Sequence, residues 1–245
     1  MRSEEVQISI NRNEDASVLI CNKPCDVFED EDLIYCFYGV PAFKETKNKK
    51  LKVQDALYPV CLIFDMERLG QPKRISPFDS GAFHNKMYDE YLTERMPMKN
   101  FLFEGKFSNS GNIKKLVKLF YDRNSNYFDS IVTLNEDLEV PGGQHEVVHY
   151  CRMIKDSGYF PDDRRQVIEV QYDQDLSLPD ALVAIVLPRK LDKDKSFIRP
   201  LIEGAKNVEI IRYTPNSKRF RADQYYLVLY NAVRNFFVET GRLEE

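Results

Sequence analysis

Asp162-Asp163-Arg164-Arg165-Gln166-Val167-Ile168-Glu169-Val170-Gln171-Tyr172 carries a strand signal beside a charged turn. A charged turn runs into residues that are β-branched and alternate, as a strand does. A strand here, with helices elsewhere in the chain, makes the protein α+β. It also leaves one acidic residue, Glu169, among apolar neighbours. A carboxylate in that position must be paired, solvated in a cleft, or functional.

Working outward, short apolar runs bounded by turn residues predict further strands over 17–21, 33–38, 60–65, 182–187 and 208–213, besides 167–172. Three helices are expected. Residues 112–122 carry Ile113, Leu116, Val117 and Phe120 at helical spacing, and 144–156 carry Val147, Val148, Cys151 and Ile154 before Gly158. Residues 222–240 repeat Val228, Leu229, Ala232, Val233, Phe236 and Phe237. Together these predict a small, partly antiparallel sheet with surrounding helices. No repeat or low-complexity linker interrupts the chain, so residues 1–245 read as a single domain.

At 245 residues and 43% hydrophobic content the chain buries a core without metal or disulfide support. A net charge of −4 argues against a nucleic-acid coat, although basic stretches at 44–52 and 218–221 suit phosphate locally. Five cysteines, odd in number and set mostly in apolar runs, read as reduced thiols of a cytoplasmic protein. Residues 1–13 lack the apolar core of a signal peptide, and no run reaches the roughly 20 residues that span a bilayer. No membrane partner is expected.

Gln144-His145-Glu146-Val147-Val148-His149 contains the H-E-x-x-H spacing. On a helix it brings two imidazoles to one face and leaves the glutamate free to polarise a zinc-bound water. Glu169 follows His149 by twenty residues, as does the third ligand in thermolysin-like peptidases. Such a ligand projects from a second helix, whereas Glu169 lies in a strand-like segment. A zinc hydrolase built on His145, Glu146 and His149 is therefore the alternative, and a solvated helix face the plain one.

Leu33-Ile34-Tyr35-Cys36-Phe37-Tyr38-Gly39-Val40-Pro41-Ala42-Phe43-Lys44 is strand-like and then turns at Gly39 and Pro41. Taken with 162–172, it resembles the DarT-type ADP-ribosyltransferases, toxins that use NAD to modify nucleic-acid bases. Phe37, Tyr38 and Pro41 match that family's aromatic strand and turn. Arg164, Arg165, Gln166 and Glu169 match its basic residues, glutamine and catalytic glutamate, with one extra residue between Gln166 and Glu169. The family's amino-terminal His-x-Thr element is absent, because no histidine precedes His84.

The resemblance implies an ADP-ribosyltransferase-like fold with NAD as substrate and Glu169 as the catalytic carboxylate. Tyr38 and Phe43 would wall the nicotinamide, and Arg165 would neutralise the pyrophosphate. It further implies a nucleic-acid or protein acceptor, and an antitoxin or defence-system partner in bacterial conflict or phage defence. A non-catalytic nucleotide- or protein-binding module on the same fold is the third reading. The segment Ser76-Pro77-Phe78-Asp79-Ser80-Gly81-Ala82-Phe83-His84 reads as a structural turn, with Gly81 at positive φ.

Overall fold

The stretch around Glu169 does form a strand. The computed structural model describes residues 18–19, 24–25, 27–29, 31–42, 59–134, 145–156, 164–192, 199, 201–214 and 226–244. Its strands, in chain order, are β1 (Val18–Leu19), β2 (Pro24–Cys25), β3 (Glu31–Asp32), β4 (Ile34–Phe37), β5 (Cys61–Phe64) and β6 (Arg74–Ser76). They continue as β7 (Phe103–Glu104), β8 (Glu169–Tyr172), β9 (Leu176–Ser177), β10 (Leu182–Pro188) and β11 (Glu209–Tyr213). Sheets and helices alternate along the chain, which makes the architecture mixed α+β. No helix among the described residues is long and apolar enough to cross a membrane.

The chain divides into two compact units. The first comprises Met1–Asn22, Phe43–Gly70 and Gln174–Glu239. Its three-stranded sheet has β10 in the centre, antiparallel to β5 and parallel to β11. The run Ala184-Ile185-Val186-Leu187 is fully buried, as a central strand covered on both faces requires. The helix Tyr226–Glu239 packs on β10 and β11 through Leu229, Val233 and Phe236. Its predicted first turn, 222–225, lies outside the described residues, as does Phe43.

The second unit comprises Lys23–Ala42, Gln71–Asp173 and Thr240–Glu245. Its four-stranded antiparallel sheet has the order β4-β8-β6-β7. Neither β6 nor β7 is foreshadowed by the sequence, because three- and two-residue strands are too short to show a period. The helices Ser110–Tyr121, Asn124–Phe128 and His145–Lys155 belong to this unit. Ser110–Tyr121 buries Ile113, Val117, Phe120 and Tyr121, and Asn109 caps its start through the Asn112 amide.

In His145–Lys155 the buried residues are Tyr150, Met153 and Ile154, so the inward stripe is rotated from the expected one. Val147, Val148 and Cys151 are only half-buried. Tyr150 decides the orientation. Its ring meets Phe120 edge-on at 5.1 Å and its hydroxyl donates to the Pro77 carbonyl, so the tyrosine inserts both ends.

At the end of the β4–β8 pair the ladder opens around a side chain. The Tyr38 amide donates to the Ile168 carbonyl at 2.9 Å, but the return bond is replaced by the Tyr127 hydroxyl. That hydroxyl accepts from the Ile168 amide and donates to the Tyr38 carbonyl, both at 2.9 Å. Gly39 follows at φ 66°, and a Cβ there would stand 3.5 Å from the Tyr127 ring. That distance is ordinary contact, so it is the positive φ that favours glycine at this turn. Tyr127→Phe leaves the buried Ile168 amide without its acceptor, while the Tyr38 carbonyl keeps the bond from the Val40 amide, so the expected cost is about 1–3 kcal/mol. Chemical denaturation measures it, and amide exchange at Ile168 should accelerate in step.

A buried polar row around Glu169

Strand register sorts the second unit's sheet into two unlike faces. Phe37, Glu169 and Ser76 stand directly opposite one another, and Tyr35, Gln171, Arg74 and Glu104 form the next row. Residues so opposed, and those two apart along a strand, share a face. The other face carries Cys36, Val170, Ile75 and Phe103. A polar face is ordinarily the one that meets water. Here Arg74, Ser76, Glu169 and Gln171 are all buried, Glu169 at 2% exposure.

Burial requires partners, and the row supplies them. Glu169 accepts from the Ser80 hydroxyl at 2.6 Å, the Ser80 amide at 3.2 Å and the Gln171 side-chain amide at 2.6 Å. It makes no ion pair among the described residues. Desolvation dominates its electrostatics, and the nearby Asp79 carboxylate adds to it. Together they push the Glu169 carboxyl up to about 7 against the three hydrogen bonds that favour the charged form.

Ser80 reaches Glu169 because of a turn and a short helix. Ser76 folds its hydroxyl back to the Phe78 carbonyl, and Phe78, fully buried, sits among Phe83, Tyr88, Phe101 and Tyr150. Asp79 then caps the helix Ser80–His84 through the Ala82 amide. Gly81 is helical rather than at positive φ, so the turn expected there is a helix start. The second Asp79 oxygen pairs with Arg164 at 2.6 Å, both side chains under 10% exposed.

The expected site residues fall as follows. Tyr38 is half-buried, and its backbone pairs with Ile168 rather than Glu169. Its ring meets Tyr127 at a centroid distance of 5.9 Å. Tyr38 therefore neighbours Glu169 across the strand pair but stands one pleat out of step with it, while Phe37 shares the Glu169 face. Arg165 is buried and donates to the Asp156 carbonyl. Ser80, Gln171 and Arg74 were missed, although Gln171 lies two residues beyond Glu169, the spacing that puts both on one strand face.

The helix His145–Lys155 does carry His145 and His149 one turn apart. They line an open cavity of about 710 Å³ with Thr93, Glu94, Arg95, Met96 and Glu146. His149 Nδ1 lies 2.6 Å from the Tyr91 carbonyl, and Glu146 accepts from Asn100. Among the described residues no group of three or more His, Cys, Asp or Glu is disposed to hold a metal ion. Glu169, in β8 and bonded to Ser80 and Gln171, is committed elsewhere. Metal analysis of protein purified without added zinc should give well under one zinc per chain; a stoichiometric zinc lost on replacing both histidines with alanine would overturn this.

Comparison with family models, with curated proteins and with solved structures finds no match for this chain.

Proposed function

We propose that the protein is an ADP-ribosyltransferase-like enzyme that cleaves NAD, with Glu169 as the carboxylate beside the ribose. One observation carries the reading. The two segments of the resemblance, more than 120 residues apart in the chain, lie in neighbouring strands with Phe37 opposite Glu169. The aromatic turn at Tyr38 and the single acidic residue of β8 thus share one end of one strand pair.

Breaking the nicotinamide glycosidic bond develops positive charge on the ribose, and a fixed carboxylate stabilises that charge more than it stabilises the ground state. Ser80 and Gln171 hold Glu169 in one orientation, which limits the reorganisation needed at the moment of reaction. In this reading Tyr38 walls the nicotinamide and Arg165 meets the pyrophosphate. A nucleic-acid or protein acceptor then takes the ADP-ribose, and a role in toxin or phage-defence systems follows from the same resemblance.

At 2% exposure Glu169 meets substrate only when the residues over it part. That burial favours one competing reading, a non-catalytic module that keeps the polar row for structure. The deciding experiment is nicotinamide release from NAD by the purified chain, with single-stranded nucleic acid and protein acceptors supplied in turn. Release that depends on an acceptor supports the transferase. No release with any acceptor favours the module.

A further inference from the structure

We infer that Gln171 is a positioning residue for the Glu169 carboxylate, and that Arg74 fixes which end of the Gln171 amide faces it. The inference rests on the transferase reading only for its effect on turnover. Arg74 Nη1 lies 3.4 Å from Gln171 Oε1, and Gln171 Nε2 lies 2.6 Å from Glu169 Oε1 and 3.4 Å from the Ser80 hydroxyl. A glutamine amide has an accepting end and a donating end, whereas a guanidinium only donates. The oxygen therefore turns to Arg74 and the nitrogen to Glu169. Reversal would set donor against donor at Arg74 and oxygen against oxygen at Glu169.

Arg74 is itself held on three sides. Its Nη2 reaches Glu31 and its Nε reaches Glu104, both at 2.7 Å, and the Phe28 ring lies 4.4 Å from the guanidinium carbon. A planar fork anchored in this way has little freedom to release the amide. Among the described residues the charged groups linked to Glu169 are thus Asp79 with its partner Arg164 on one side, and beyond Gln171 Arg74 with Glu104 and Glu31, the last also paired with Lys73. Gln171 conveys the fixed position of Arg74 to Glu169 without placing a full positive charge against the carboxylate. The acid keeps its high affinity for a proton while its orientation is set.

The test uses carbon-detected NMR on the full chain, following the Glu169 carboxyl carbon and the Gln171 side-chain amide from pH 5 to 9. In the wild type both signals should move with one midpoint; a Gln171 amide that stays flat while Glu169 titrates overturns the inference. Gln171→Met keeps the volume and removes the donor, so the Glu169 midpoint should rise by about one pH unit, the size of one lost hydrogen bond to a charged group. An unchanged midpoint overturns it equally. Should Gln171→Met fail to fold, the wild-type comparison decides alone. Where nicotinamide release is measurable, Gln171→Met should lower kcat, keep KM for NAD within about threefold, and shift the pH profile upward with the midpoint. If the wild type releases none, the transferase reading fails and the two NMR arms still decide the role of Gln171.

Discussion

Glu169→Gln should reduce nicotinamide release by about 10²–10³-fold, the usual cost of removing one preorganised electrostatic partner of a transition state. NAD binding should change far less, since the amide retains volume and hydrogen-bonding capacity. The same substitution has a second signature, in stability. Glu169 holds its proton more tightly folded than unfolded, with a carboxyl near 7 against an ordinary value of 4.5. Between those values the folded state binds more protons, so its stability falls as pH rises through the window, by about 3 kcal/mol in total. Glu169→Gln is neutral throughout and should lack that component. Denaturation at pH 5 and pH 8 therefore reads a wild-type loss that the variant does not share. Equal pH dependence in the two proteins would contradict the buried, proton-binding carboxylate described above.

Arg164→Met should destabilise the protein by about 3–5 kcal/mol at pH 8, because it leaves Asp79 buried without its cation. The effect does not stop at Asp79. That carboxylate already raises Glu169, and without Arg164 its side chain keeps, among the described residues, the capping bond from the Ala82 amide but no cation. The penalty should shrink toward pH 5, where Glu169 is protonated and no longer repels Asp79. Asp79→Asn combined with Arg164→Met removes both charges and should recover most of the loss. A single Arg164→Met variant within about 0.5 kcal/mol of wild type, the range of ordinary surface changes, would show that the ion pair contributes nothing.

Much of this fold was legible in the sequence wherever a period had room to repeat. The helices Ser110–Tyr121 and His145–Lys155 and the strands β4, β5, β8, β10 and β11 fall where apolar spacing and turn residues put them. The inward face of His145–Lys155 was misread because Tyr150 was left off the stripe. Its ring packs against Phe120 and its hydroxyl finds the Pro77 carbonyl, so a residue with a polar tip takes an inward position. β6 and β7 carried no period at all; with them Arg74 escaped notice, and Ser76 read as the start of a turn rather than the end of a strand.

The site was legible by half. Glu169 was marked by being a lone acid in an apolar strand. Its partners were hidden by distance along the chain, since Ser80 lies 89 residues away and arrives only through the turn at Phe78 and the cap at Asp79. Arg164 and Arg165 show the limit of spacing arguments. Adjacent in sequence, they diverge in space, one to the Asp79 carboxylate and the other to the Asp156 carbonyl. The H-E-x-x-H motif is the converse case, with correct local spacing and no third ligand disposed to complete it among the described residues.

Backbone amide NMR with NAD as titrant shows whether the dinucleotide binds at the β4–β8 strand pair around Glu169. The largest shifts should fall within 35–41, 76–82 and 166–171, and they should persist in Glu169→Gln. Shifts concentrated instead at 93–96 and 145–149, around the histidine-lined cavity, or no shifts at millimolar NAD, would contradict it.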